Sequence, residues 1–366
     1  MNNTRPITTL QVTAVITSTI IGVGILSFPR YMADAAGSGA PLVTAAGLPV
    51  AFAGLWFTAA VCRRFPQETL FVFSRRLLGR AFADILSFCI FLFFAFSTGL
   101  TMRQFGEVCV TVIFKKTPVE AIILMMLLLA ALSVRRNVTK FTYIHIFYAP
   151  FILASIFIIV LVALKDIDVL NLLPLTGNHT TVASFFRGMV TSSTLYQGTF
   201  VLALLVPLMK NPRKVLKAGT AALIIVGIVY ILIVLITVGM FGAYETRLLL
   251  YPTLETARSI SIGEGVLERF DAIFIIVWVI SIFTTIFTNY YLAAYALREA
   301  TRFRDHRLLA SFLLPFIFTA SLLPKNVFQS YCLASVTAIV GLILLTLYPL
   351  LLWLTAILRN QGGASS

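Results

Sequence analysis

Two short stretches of this chain carry the residue types that can hold a small polar ligand inside an apolar environment. The first is Ile21-Gly22-Val23-Gly24-Ile25-Leu26-Ser27, in the middle of an apolar run and followed by Pro29. The second, Ser192-Ser193-Thr194-Leu195-Tyr196-Gln197-Gly198-Thr199, interrupts another apolar run in the same way. In hydrocarbon, non-helical backbone persists only where it lines a cavity, and helices broken near the bilayer midplane are how secondary transporters build binding sites. A broken helix offers unpaired N–H groups at one end and unpaired C=O groups at the other, so it can bind a carboxylate and an ammonium group together. That chemistry suits a zwitterionic amino acid. The competing explanation for the glycines is close helix packing through small residues. Corresponding positions in the two halves of the chain favour the binding site.

The candidate ligand-binding residues are therefore Gly22, Val23, Gly24 and Ile25 with Thr194, Tyr196, Gln197 and Gly198. Neighbouring runs would complete the pocket through Thr98, Gly99 and Met102 and through Thr284, Thr285 and Thr288. Hydroxyls in apolar helices often bond their own backbone one turn back, which leaves each threonine open.

Ionisable residues at membrane depth are costly and read first as functional. Arg103 and Glu107 share a helix face through their i,i+4 spacing and are expected to pair, with snorkelling toward the surface as the alternative. His145 reads as an interfacial residue near one end of its run, and His179 as part of an external loop. No Lys, Asp or Glu occupies the middle of the fifth or eighth run, which weighs against a coupled pump. Phosphate-loop, HExxH and Ser/His/Asp signatures are missing, so no catalysis is assigned and no cofactor or metal is expected. The four cysteines, Cys62, Cys89, Cys109 and Cys332, lack metal-ligand spacing and read as small apolar residues.

The elements that must position these residues are set by composition. Of 366 residues, 59% are hydrophobic and 11% charged, with a mean hydropathy of +0.97, against roughly half apolar and a quarter charged in soluble domains. Runs long enough to span, at about 20 residues each, lie near 10–32, 41–62, 82–114, 119–134 and 143–164, then near 184–208, 217–242, 267–297, 308–323 and 333–358. No Pro/Ser-rich linker separates them, which implies one all-α integral membrane domain over 1–366. The net charge of +14 sits in short clusters between runs, as topology signals do, and argues against nucleic acid. By that signal the termini and the loops holding Arg63 to Arg80, Arg135 to Lys140, Lys210 to Lys217 and Arg298 to Arg307 are cytoplasmic. Even parity then requires about ten spans. The first apolar run is too long for a signal peptide and is expected to be retained.

The opening Ile7-Thr8-Thr9-Leu10-Gln11, followed by Ile20 to Arg30, resembles the start of the endospore germination permeases. Tyr251-Pro252-Thr253-Leu254-Glu255, leading to Leu267-Glu268-Arg269-Phe270-Asp271-Ala272-Ile273-Phe274 and Trp278-Val279-Ile280-Ser281, is similar to the loop before that family's eighth span and to the span itself. The resemblance implies membership of the amino acid/polyamine/organocation superfamily and a LeuT-like five-plus-five inverted repeat with broken first and sixth helices. It further implies the B subunit of a nutrient germinant receptor in the inner spore membrane, assembled with a larger A subunit and a lipoprotein C subunit. Gly22 to Ile25 and Tyr196 to Gly198 match the positions of the family's helix breaks. Family members often carry a carboxylate after the sixth-helix glycine, where this chain has Thr199 and Phe200, which leaves ligand class and ion coupling open. The alternative is a proton- or sodium-coupled amino-acid transporter, an ordinary permease working alone.

Overall fold

The computed structural model describes residues 6–22, 24–177, 180–260, 270–303 and 305–360, with Phe270 described as backbone only. Val23, His179, Arg304 and Leu267 to Arg269 lie outside the described residues.

The first apolar run is two helices. Thr8 starts α1 (Thr9–Ile20) with a capping box, its hydroxyl accepting from Gln11 N while the Gln11 side chain accepts from Thr8 N. The helix stops before Gly22, and α2 (Gly24–Ala36) begins two residues later. Pro29 lies inside α2 and has no N–H, so the Ile25 carbonyl four residues back needs another donor. Thr253 supplies it, its hydroxyl donating to Ile25 O at 2.6 Å. The chain continues through α3 (Ala40–Arg64), the short α4 (Leu70–Leu78), α5 (Arg80–Val112), α6 (Val119–Val134) and α7 (Val138–Ala163). Gly79, at φ 85°, makes the corner between α4 and α5 in a conformation that only glycine adopts without strain.

The second half opens with α8 (Val182–Thr194), which tightens into 3-10 geometry over Leu195–Val201 before one α-turn, α9 (Leu202–Leu205). Then follow α10 (Val215–Leu248), the short α11 (Pro252–Ser259), α12 (Phe270–Thr301), α13 (His306–Leu322) and α14 (Val327–Leu358). Inside α10, Gly242 adopts φ 74° and bends the chain, and the loop before α8 closes on that bend through Asn171 Nδ2, 2.9 Å from Gly239 O.

Among the described residues, seven helical stretches are long and apolar enough to cross a bilayer, and α1, α6 and α13 are shorter apolar helices. At 1.5 Å per residue the 12 residues of α1 reach only about 18 Å, well short of a hydrocarbon core of about 30 Å. Outward faces of α6, α7, α10 and α14 expose Met125, Leu132, Phe147, Phe151, Ile224 and Ile343. Such a belt of large apolar side chains is stable only against lipid, and the chain is a multi-pass membrane protein. Polar links hold the bundle at its two ends. Near the α4–α5 corner, Arg75 pairs with Asp84 at 2.8 Å and Glu299 at 3.3 Å, tying α4 to α5 and α12. Toward the other end, Arg103 pairs with Glu107 at 2.8 Å, and Ser330 of α14 donates to the second Glu107 oxygen at 2.6 Å. Glu107 is buried and the Arg103 side chain is only 11% exposed, so the pair neutralises its charge within the bundle and does not snorkel.

Candidate functional site

The interruption after α1 frees the carbonyls of its last turn, because no N–H follows one turn on to receive them. The Ile21 amide closes on Thr17 O at 3.2 Å. Thr284 lies 2.8 Å from Ser18 O, and Thr285 donates to Thr19 O at 2.8 Å. Tyr230 of α10 donates to Ile20 O at 3.1 Å, and the Ser281 hydroxyl donates to Ile21 O. Every carbonyl from Thr17 to Ile21 thus has a donor within reach, three of the five being hydroxyls on α12, with the single Thr284 proton shared between Ser18 O and Ser281 O. The expectation of open carbonyls at the first break is corrected accordingly: α12 has capped them.

The 3-10 segment after α8 meets this break. A methyl group at Gly198 would come within 2.8 Å of Thr19 Cγ2, and one at Gly24 within 2.9 Å of Leu195 Cδ2. A methyl at Gly22 would overlap the Thr285 hydroxyl. These glycines set the distance between the two interrupted helices and α12. Gln197 reaches across to α14, its amide nitrogen donating to Ala338 O.

Between the interruptions lies a cavity of about 200 Å³. Of the residues singled out in the sequence, Gly22, Gly24, Thr194, Gln197, Gly198 and Thr285 line it. Ile25, Tyr196 and Thr284 are buried behind the wall, as are Thr98, Met102 and Thr288. Gly99 is turned onto α13, where an added methyl would meet Ala320 at 2.8 Å. On α5 the lining face includes Phe93, Ser97, Leu100, Thr101 and Gln104, about 150° round the helix from the centre of the face expected from sequence. Thr19, Asn289 and Thr337 also line the cavity and were not expected. The spacing of 97, 101 and 104 was visible as a polar stripe on α5 and could have flagged that face. Nothing in the sequence distinguished Asn289 or Thr337.

Among the described residues that line it, the cavity carries no charged side chain. Its polar groups are hydroxyls, the amides of Gln104, Gln197 and Asn289, and the N-terminal end of α2 at Gly24. A helix start presents N–H groups and the positive end of the helix dipole, which favours a carboxylate. No set of metal-ligating side chains is present among the described residues.

Three kinds of comparison show what this chain is similar to. Residues 6–330 match the spore germination protein family. Spore germination protein YndE of Bacillus subtilis (strain 168) is 24% identical over 98% of both chains. GerLB of Bacillus cereus is 27% identical over 96% of this chain and 94% of its own, and spore germination protein B2 of Bacillus subtilis (strain 168) is 22% identical over 98% and 97%. In three dimensions the fold is that of Mhp1, a nucleobase-cation-symport-1 family transporter solved in a closed conformation with bromovinylhydantoin bound. The two superpose with a TM-score of 0.68 at 15% identity, over 93% of this chain and 78% of that one. With the match running through nearly all of the described fold, the chain belongs to the spore germination protein family.

Proposed function

We propose that this chain is the permease-like B subunit of a nutrient germinant receptor, binding a small amino acid in the cavity between its two interrupted helices. In this reading α1 and α2 together form the first of ten spans and α8 with α9 the sixth, in a single domain of two inverted five-span repeats. Both termini are cytoplasmic, the membrane is the inner membrane of the spore, and the partners are an A-type subunit and a lipoprotein C-type subunit. The protein senses and does not catalyse.

One observation carries the ligand assignment: the break between α1 and α2 and the 3-10 segment after α8 face one cavity lined by hydroxyls and amides, with no charged side chain among the described residues. Drug-sized ligands fill about 300–1,000 Å³, so a cavity of about 200 Å³ admits only something smaller. A ligand with net charge would lose its hydration without gaining a counter-ion. A small zwitterion brings its own balance, its carboxylate toward the start of α2 and its ammonium toward the amide and hydroxyl oxygens opposite. Binding can signal only through a difference in affinity between two arrangements of the bundle, and the interrupted helices are the elements whose arrangement the ligand touches.

A free-standing amino-acid transporter is the second reading, favoured by the transporter fold of Mhp1. Equilibrium binding of radiolabelled amino acids to the purified chain, run beside uptake into liposomes containing it, separates the two. Binding without uptake is expected; concentrative uptake driven by a proton or sodium gradient makes the protein a transporter. Gly24→Trp fills the cavity beside Leu195 and should abolish binding while the protein still inserts. Unchanged affinity in that variant would remove the ligand from this cavity.

A further inference from the structure

His145 is not at the interface: it is fully buried on α7 against α1 and α12, and both ring nitrogens are engaged. Nδ1 lies 2.6 Å from Ser18 Oγ, and Nε2 lies 3.1 Å from Thr288 Oγ1. Thr288 Oγ1 is in turn 2.7 Å from Thr19 Oγ1, and Thr19 lines the ligand cavity. A continuous chain of hydrogen bonds therefore runs from the cavity wall to the imidazole.

The partners allow a self-consistent direction for that chain. Ser18 Oγ has Ala14 O as an acceptor at 2.7 Å, so it can give its proton there and accept from Nδ1–H. Thr19 Oγ1 has Thr288 as its hydroxyl partner and can donate to it, which lets Thr288 donate to Nε2. This assignment makes the ring a neutral Nδ1–H tautomer, inferred from the acceptors available. Thr288 has a second acceptor, Thr284 O, also at 3.1 Å. Swinging the Thr288 hydroxyl from Nε2 to that carbonyl frees Nε2 to take a proton and leaves Thr288 Oγ1 to accept from it. One hydroxyl rotation thus reorganises the network for an imidazolium.

Among the described residues, a charge there would have no counter-ion. α1 carries no titratable side chain. From α12, Tyr291 faces the site across the Phe141 and Phe287 rings, at 5.0 and 6.3 Å. On α7 itself, Tyr148 packs one turn further on against Phe283. Tyr230 of α10 is spent on Ile20 O, and Glu255 and Arg258 of α11 pair with each other at 2.8 Å. The ring contacts of His145 are Phe141, at 4.5 Å, and Phe287, stacked at 5.8 Å. Their faces attract a cation but do not neutralise it.

We propose that His145 is a proton-binding site coupled to the ligand cavity through Thr288 and Thr19. Its neutral form holds α1 against α12, and its protonated form favours an arrangement in which the two separate and the cavity opens. Linkage makes the effect reciprocal: whatever opens the cavity promotes proton uptake, and acid promotes opening.

The test needs no ligand, so its failure is separate from failure of the germinant-binding reading. In a full-length chain with its four cysteines replaced, Ala334→Cys places a thiol on the cavity wall. The probe is methyl methanethiosulfonate, and its rate of reaction is read from about pH 7.5 to about pH 5.5, the range in which histidines commonly titrate. H145Q in the same background reports the pH dependence of the thiol itself. The ratio of the two rates, H145 protein over H145Q, is expected to rise by about threefold or more on acidification. A flat ratio overturns the proposal. Thr288→Val keeps the imidazole and removes its Nε2 partner, and serves where H145Q does not fold. It should move the midpoint of the pH response by about one unit or more, and an unmoved midpoint also overturns the coupling.

Discussion

The break after α1 and the 3-10 segment after α8 satisfy their backbone in opposite ways. After α1, the carbonyls of Ser18, Thr19 and Ile21 are held by Thr284, Thr285 and Ser281, all on α12, and Ile20 O by Tyr230 on α10. After α8, the chain winds more tightly into 3-10 geometry over Leu195–Val201 and closes most of its hydrogen bonds on itself. There, Thr194 and Thr199 also turn back onto their own helix, at 2.7 and 2.9 Å. Gln197 alone reaches another helix, through Ala338 O. The first break is therefore tied to α12 and can rearrange only by giving up those bonds, whereas the 3-10 segment can adjust locally. A signal carried by rearrangement of helices should pass through α1 and α12.

That contrast can be broken by substitution. The largest effect is expected at Gly22, where any side chain overlaps the Thr285 hydroxyl. Gly22→Val should cost about 1–3 kcal/mol, the range for overpacking a well-filled site, and adding Thr285→Ala should recover part of the loss in thermal stability. Absence of any rescue would mean that the first break is not held against α12. Ser281→Ala should cost somewhat less, about 0.5–2 kcal/mol, because it strands the buried Ile21 carbonyl within the bundle. Gln197→Ala is expected to change stability least, by about 1 kcal/mol or less, since the 3-10 segment keeps its own bonds. Thermal unfolding in detergent ranks the three variants. Should Gln197→Ala prove as damaging as Ser281→Ala, the second break is anchored as firmly as the first and the asymmetry disappears.

The all-helical architecture was legible because hydropathy over 20-residue windows reports the solvent directly, and here that solvent is lipid. The first interruption was legible because Gly22, Gly24 and Pro29 fall inside a run otherwise fit to continue as helix. The short helices α4 and α11 were not anticipated. α4 is amphipathic and rests on the end of the bundle, and α11 exists to bring Thr253 to the carbonyl freed by Pro29. On α5 the polar residues at 97, 98, 101 and 104 occupy adjacent helix faces, and only packing against α13 at Gly99 fixes which face turns to the cavity.

His145 shows the same limit more sharply. Its place in the sequence, a few residues inside an apolar run, suits an interfacial residue, yet α7 is set so that the ring lies between Ser18 and Thr288. Sequence alone determined that this chain lives in lipid, that its first run breaks around Gly22, and which family it resembles, because those signals are local in the chain; the break expected near Gln197 is instead continuous helix tightened into 3-10 geometry over Leu195–Val201. Which hydroxyls cap the first break, which residues line the cavity and what the buried imidazole touches were decided by tertiary structure. Those contacts join residues more than a hundred positions apart, and the rotation of each helix about its own axis is set only by the neighbours packed against it.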